Sequence, residues 1–137
     1  SMTLQGKLTG DDTHKSVRIT VDSSQREIEI LSGYDGTVES SQSFTNNQAA
    51  LMTFLYALDN AGFTNTQKAA YKDSRGVCPK GNVYQYTYSA QDGVPHDSWS
   101  TSCKKTDGTF SGNATLVKSL FQAQITDYAK IVKGVKL

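Results

Sequence analysis

The sequence predicts an α+β fold, an antiparallel sheet of about five strands with two main helices packed on one face. Three observations predict it. Apolar and polar residues alternate in two groups of segments, apolar residues recur at helical spacing after each group, and tight-turn residues separate the alternating segments. The 137 residues suffice for one domain with a sizeable core, and an aromatic content of 9% argues against a disordered chain.

Three strands are predicted in the first third of the chain. Residues 17–21 and 27–30 alternate between β-branched apolar and polar side chains, which is typical of half-buried strands. Tyr34-Asp35-Gly36 predicts a tight hairpin turn, because glycine adopts positive φ without strain. Residues 38–44 form a third, more polar strand.

The N-terminal segment is predicted separately. Residues 1–15 show little periodicity and contain Gly6 and Gly10, so we expect a mobile arm or a short edge strand. Ser1-Met2 is typical of what a protease leaves when it removes a tag. A single disulfide-braced α+β domain is expected to cover residues 16–137.

The first helix is predicted over about residues 46–61. Thr45 and Gln48 fit a capping box, and Gly62 followed by Phe63 fits the end of a helix that closes in a Schellman motif. The apolar stripe at helical spacing consists of Leu51, Leu55 and Leu58. We therefore expect Leu55 to be buried, and its truncation to alanine to be costly.

The second half of the chain predicts a hairpin and a second helix. Val83–Ser89 reads as a strand, Gln91-Asp92-Gly93 as a turn, and residues 97–103 as the partner strand. The second helix begins near Asn113, and it either continues to Gly134 or breaks near Thr126. This order of elements resembles that of small exported bacterial domains and of some small protease inhibitors, without a specific motif that would transfer residue roles.

Cys78 and Cys103 are the only cysteines, and they are predicted to form a structural disulfide. Their separation of 25 positions does not fit a metal-binding or redox Cys-x-x-Cys pair. On the chain-entropy model such a bond stabilises the fold by roughly 3–4 kcal/mol. Because disulfides persist in oxidising compartments, we expect an extracytoplasmic protein, secreted or anchored at a surface.

Composition and motifs restrict the function classes. A net charge of +1 argues against a nucleic-acid partner, and no apolar run is long enough to insert into a membrane. No catalytic motif, metal-ligand pattern or cofactor fingerprint is present in the sequence, so we expect a non-enzyme without a cofactor or metal. A monomer is expected.

Two surfaces are candidates for binding an unknown protein or glycan. One is an aromatic ladder, which we expect to point toward the core with its hydroxyl groups at the rim. Its members are Tyr84, Tyr86 and Tyr88, with Trp99 on the partner strand and His96 near the turn. The other is the loop 72–81 beside the disulfide, which carries Lys72, Arg75 and Lys80.

These observations favour a non-catalytic exported or cell-surface domain that binds another macromolecule. The first alternative is a small secreted protease inhibitor that uses the braced loop 72–81 or the hairpin 90–97, because bracing lowers the entropic cost of association. The second alternative is an enzyme whose site is assembled from residues that the sequence does not bring together.

Overall fold

A computed structural model describes residues 1–6, 10, 13–69, 77–89, 93–103, 108–135 and 137. In these residues six antiparallel strands form one sheet in the order β4-β3-β2-β1-β5-β6, with two main helices and a short third one, so the α+β prediction is confirmed with one strand more than expected. The elements in chain order are β1 Met2–Gln5, β2 Lys15–Val21, β3 Gln25–Ser32, β4 Thr37–Thr45, α1 Gln48–Asn60, β5 Val83–Ser89, β6 Pro95–Thr101, α2 Ala114–Ala123 and α3 Tyr128–Ile131.

The core lies between one face of the sheet and the helices. Alternation explains which strand residues enter it, because every second side chain of a strand points to the same face. The strands contribute Met2, Val17, Ile19, Ile28, Ile30 and Tyr86. The helices and their flanks contribute Phe54, Leu58, Phe63, Phe110, Val117, Phe121 and Ile125.

The N-terminal segment corrects the prediction of an edge strand or mobile arm. β1 lies inside the sheet, where it pairs with β2 on one side and β5 on the other. Met2 is 1% exposed and faces Ile19 and Tyr86 across the two ladders. β1 has only four residues, too few for its alternation to be recognised, and its partner β5 lies some 80 positions away in the sequence.

α1 ends as predicted but begins with a different cap. Its N-terminal cap is Asn47, whose side-chain oxygen accepts a hydrogen bond from the Ala50 N–H, and not Thr45, which belongs to β4. At the other end Gly62 has φ +77°, and the Phe63 N–H donates to the Leu58 carbonyl at 3.0 Å. This pattern is the Schellman motif.

The apolar stripe of α1 differs from the prediction. The buried residues of the helix are Phe54 and Leu58, whereas Leu55 is 44% exposed. Phe54 and Leu58 are four residues apart and therefore share one face, while Leu55 is turned about 100° from Phe54. The prediction that Leu55 is buried is wrong.

The C-terminal helical region is broken. α2 ends at Ala123, and α3 begins at Tyr128 after Asp127, which has φ +59°. A left-handed residue cannot continue an α-helix, so it separates the two segments. Asn113 caps α2, because its side-chain oxygen accepts a hydrogen bond from the Leu116 N–H at 3.0 Å.

The cystine ties the β5–β6 hairpin to the segment that precedes it. Cys78 and Cys103 are joined, with 5.9 Å between their Cα atoms. Cys103 follows β6, which runs from Pro95 to Thr101 and so begins two residues earlier than predicted. The hairpin turn at residues 91 and 92 lies outside the described residues, and Gly93 beside it has φ +77°.

Candidate functional site

A groove of about 510 Å³ opens between α1 and the adjacent end of the sheet. Its walls are mainly apolar, and they come from β2, α1, β5 and α2. The side chains that give it this character are Val21, Leu51, Phe54, Leu55, Tyr88 and Phe121. Such a groove accommodates apolar side chains of a ligand better than charged ones.

The solvent-facing side of α1 extends this apolar surface. Met52 is 42% exposed, Leu55 44% and Tyr56 69%, and we call these three side chains the α1 patch. Leu55 also lines the groove, so the patch and the groove are continuous. α1 contains one charged residue, Asp59, near its C-terminal end. Apolar surface that is neither charged nor covered often marks a site of protein contact.

The predicted tyrosine ladder faces the helices, as expected. Tyr86 is 1% exposed, and its hydroxyl group pairs with the Ser100 hydroxyl at 3.1 Å. Burial raises the pKa of Tyr86 to about 12, although the bond with Ser100 opposes part of that shift. Tyr84 and Tyr88 pack against the core at its margin. Of the three tyrosines, only Tyr88 lines the groove.

His96 joins the face of the tyrosines, whereas Trp99 does not. His96 is exposed and stacks on Tyr88, with 5.0 Å between ring centroids and 14° between planes. Trp99 pairs with Gln85 and therefore points to the other face of the sheet. It is buried there, and Gly108 lies against its ring. The structure thus divides the predicted aromatic candidates between two faces.

The braced loop is described only in part. Lys72 and Arg75 lie outside the described residues, whereas Lys80 is exposed in a turn next to the buried Cys78. The Gly81 N–H donates to the Cys78 carbonyl at 3.2 Å and closes this turn. A side chain at Gly81 would come within 2.7 Å of the Cys78 sulfur, so the turn packs tightly against the cystine.

Charged groups lie mainly on the sheet face that points away from the helices. Arg18 donates to Glu29 across β2 and β3 at 2.8 Å, and that hydrogen bond raises the pKa of the guanidinium. At the β2–β3 turn the backbone N–H groups of Ser24 and Gln25 donate to Asp22 and lower the pKa of its carboxyl group. The part of the chain that the structure describes contains no cluster of three side chains suited to hold a metal ion.

Comparison with known proteins gives no family assignment. The chain matches no protein-family model, and no curated protein or solved structure resembles it at a significant level. None of the helices in the described residues is both long enough and apolar enough to cross a membrane.

Sequence reasoning missed the α1 patch because it placed Leu55 in the core. A signal was available: the helix segment 48–60 contains no lysine, arginine or glutamate. A helix in a surface layer normally carries such residues on its outer face. Their absence, together with large apolar residues at 52, 55 and 56, indicates that the outer face of α1 contacts another molecule as well as solvent.

Proposed function

We propose that the chain is a non-catalytic exported or cell-surface domain that binds another protein through the α1 patch and the adjoining groove. The observation that carries this proposal is the continuity of exposed Met52, Leu55 and Tyr56 with an apolar groove of about 510 Å³. Burying these side chains against a partner removes apolar surface from water, which is the main driving force of protein association.

The chemistry of the surface favours a protein over a glycan. Sugar rings are bound by exposed aromatic faces together with many hydrogen-bonding groups. The patch has one exposed aromatic ring, Tyr56, and the groove presents mainly aliphatic side chains such as Leu51 and Leu55, with Phe54 and Phe121 behind them. These surfaces fit the apolar side chains of a helix or an extended segment.

The exported location is part of the proposal, and the disulfide supports it. Cys78 and Cys103 are joined, and such bonds persist in oxidising compartments and are rare in the cytosol of most organisms. A hydrogen bond from the Gly81 N–H to the Cys78 carbonyl closes the turn at Pro79 and Lys80 next to this disulfide.

A second candidate function, inhibition of a protease, is favoured by that turn. Lys80 is exposed on a short segment held by the Cys78 carbonyl bond and by the cystine, which reduces the entropy lost when a protease binds it. Stoichiometric inhibition of a lysine-specific protease by the wild type, lost in Lys80→Ala, would support this candidate. Cleavage after Lys80 or indifference to the protease would contradict it.

The primary proposal is tested by selecting a displayed peptide library on the wild-type domain. Selected peptides are then measured against Leu55→Lys and against Ser119→Lys, which adds the same charge at an exposed position of α2. We expect Leu55→Lys to weaken binding by about tenfold or more and Ser119→Lys to have little effect. Equal binding to both variants, or binding of glycans from an array in place of peptides, would contradict the proposal.

A stability measurement tests whether the patch is free for binding. Leu58 is 3% exposed and Leu55 44%, on the same helix. Leu58→Ala should lower the free energy of unfolding by about 2–5 kcal/mol, whereas Leu55→Ala should cost less than about 1 kcal/mol. A large cost for Leu55→Ala would show that this side chain serves the core and not a partner.

A further inference from the structure

On the outer edge of β4 the backbone groups of Ser41 and Ser43 have no partner among the described residues. The Asn46 N–H donates to the Ser24 carbonyl at 3.0 Å, which fixes the phase of the β3–β4 ladder. Hydrogen-bonded pairs alternate in an antiparallel ladder, so Phe44 and Gln42 bond to β3. The N–H and C=O groups of Ser41 and Ser43 therefore point away from the sheet.

This edge carries few of the features that prevent strands from pairing. Natural edge strands are blunted by lysine, proline or bulges. β4 contains no lysine, arginine or proline, and its one charged residue, Glu39, forms an ion pair with Lys15. The register shifts between Ile30 and Leu31 of β3, which pair with Ser40 and Val38, so β4 itself bulges at Glu39 near its start and is in regular register from residue 40 onward. The Arg26 side chain donates to the Thr45 carbonyl at 3.2 Å, so the stretch left as a template for another strand is that around Ser41 and Ser43.

A pocket lies beside the edge on the side of the helices. It has a volume of about 340 Å³; Phe44 of β4 and Ile131 of α3 provide its apolar surface, and Gln42, Thr126, Asp127 and Lys130 line the rest. Arg26 supports this region, because its guanidinium lies over the Phe44 ring at 5.6 Å and donates to the Gln124 carbonyl at 2.9 Å. An added strand would direct every second side chain toward this pocket.

The other face of the edge presents a carboxylate. Glu27 lies across from Ser43, whose hydroxyl group donates to it at 3.3 Å. In the described part of the sheet Arg18 is the basic residue on this face; it donates to Glu29 and also attracts Glu27, so two carboxylates share one cation. A cation on this face of an added strand would therefore meet Glu27.

We propose that β4 binds an extended peptide segment as a seventh strand of the sheet. The peptide backbone pairs with Ser41 and Ser43, an apolar side chain enters the pocket at Phe44 and Ile131, and a lysine or arginine at an alternating position approaches Glu27. Backbone pairing supplies affinity in such complexes, and the alternating side chains supply specificity. This surface is separate from the α1 patch, so the proposal does not rest on the function proposed above.

A peptide of this chemistry fits the edge better than a second copy of the chain. In a dimer the added strand would be β4 itself, which has no lysine or arginine to place beside Glu27. Dimerisation through β4 is therefore one of the outcomes that would overturn the proposal.

The test uses a short, end-capped peptide of alternating valine and lysine, with a control peptide in which glutamate replaces lysine. We expect the lysine peptide to bind about tenfold or more tightly than the glutamate peptide and to slow hydrogen exchange at the Ser41 and Ser43 amides. Absence of binding, equal binding of the two peptides, or protection confined to α1 would overturn the proposal. Concentration-dependent dimerisation of the free protein with protection of the same amides would do so as well.

Three variants locate the interaction. Ser43→Pro should abolish binding because it removes an outward N–H group, and Glu27→Gln should reduce the preference for lysine while binding persists. Leu55→Lys should bind the peptide as the wild type does, which separates this surface from the α1 patch. If Ser43→Pro does not fold, Glu27→Gln decides: an unchanged lysine preference in that variant overturns the proposal.

Discussion

The two edges of the sheet differ in what lies beside them. Along β6 the Trp99 carbonyl accepts a hydrogen bond from the Phe110 N–H at 3.0 Å, and the Trp99 N–H donates to the Thr109 hydroxyl at 3.1 Å. Along β4 no described residue pairs with the outward groups of Ser41 and Ser43. Within the described residues, the segment at Thr109 and Phe110 therefore covers one edge at Trp99, the closed edge, and the groups at Ser41 and Ser43 stay unpaired on the other, the open edge, so the first edge contributes to stability and the second is available for pairing.

The largest expected effect on stability comes from the cystine at the closed edge. Replacing both Cys78 and Cys103 with serine should lower the free energy of unfolding by about 3 kcal/mol, because the unfolded chain gains the entropy of an open loop. Urea unfolding measures the loss. Wild-type protein under reducing conditions should show a similar loss of stability. An unchanged unfolding midpoint in both experiments would show that the cystine does not stabilise the closed edge.

Alkaline pH should lower the free energy of unfolding through Tyr86, which lies in β5 beside the closed edge. Its pKa is about 12 in the folded protein because of burial, against an ordinary value of 10.0. The folded state thus holds the phenolic proton more tightly, and this contribution to stability is lost as the pH rises from about 10 to about 12, by about 2–3 kcal/mol. Unfolding free energies of wild type and Tyr86→Phe across this range test it. If the free energies of unfolding of the two proteins depended on pH in the same way, Tyr86 would not be the group responsible.

A smaller effect is expected where Gly108 meets β6. A methyl group there would lie 2.6 Å from the Cε3 atom of Trp99 and would also clash with the Trp99 carbonyl group. Gly108→Ala should therefore cost about 1–3 kcal/mol as the closing segment shifts. Ser41→Ala at the open edge is the control, and it should change stability by less than about 0.5 kcal/mol. If urea unfolding showed equal losses of stability for the two variants, the two edges would not differ in how tightly they are packed.

Local sequence patterns predicted much of the fold. The alternation in β2 and β3, the Asp35-Gly36 turn and the Gly62-Phe63 helix end each depend on residues that are neighbours in the chain, so the sequence contains all the necessary information. The disulfide followed from there being only two cysteines.

The remaining features depend on contacts between distant segments. β1 is central because β5 pairs with it, and four residues cannot reveal a partner some 80 positions away. The side to which Trp99 points depends on the β5–β6 register, and its burial involves Gly108. The open edge is defined by the order of the strands in the sheet, which no local pattern records, whereas the lack of lysine, arginine and glutamate in residues 48–60 was a local signal for the α1 patch.

The smallest expected effect is local and tests the open edge directly. In the free protein the amides of Ser41 and Ser43 should exchange with solvent much faster than those of Gln42 and Phe44, because only the latter pair with β3. Hydrogen exchange followed by NMR resolves neighbouring residues and needs no substitution. On the closed edge the Phe110 amide, which donates to the Trp99 carbonyl, should exchange slowly. Slow exchange at all four β4 amides would mean that something covers this edge, and the distinction between the two sides of the sheet would then fail.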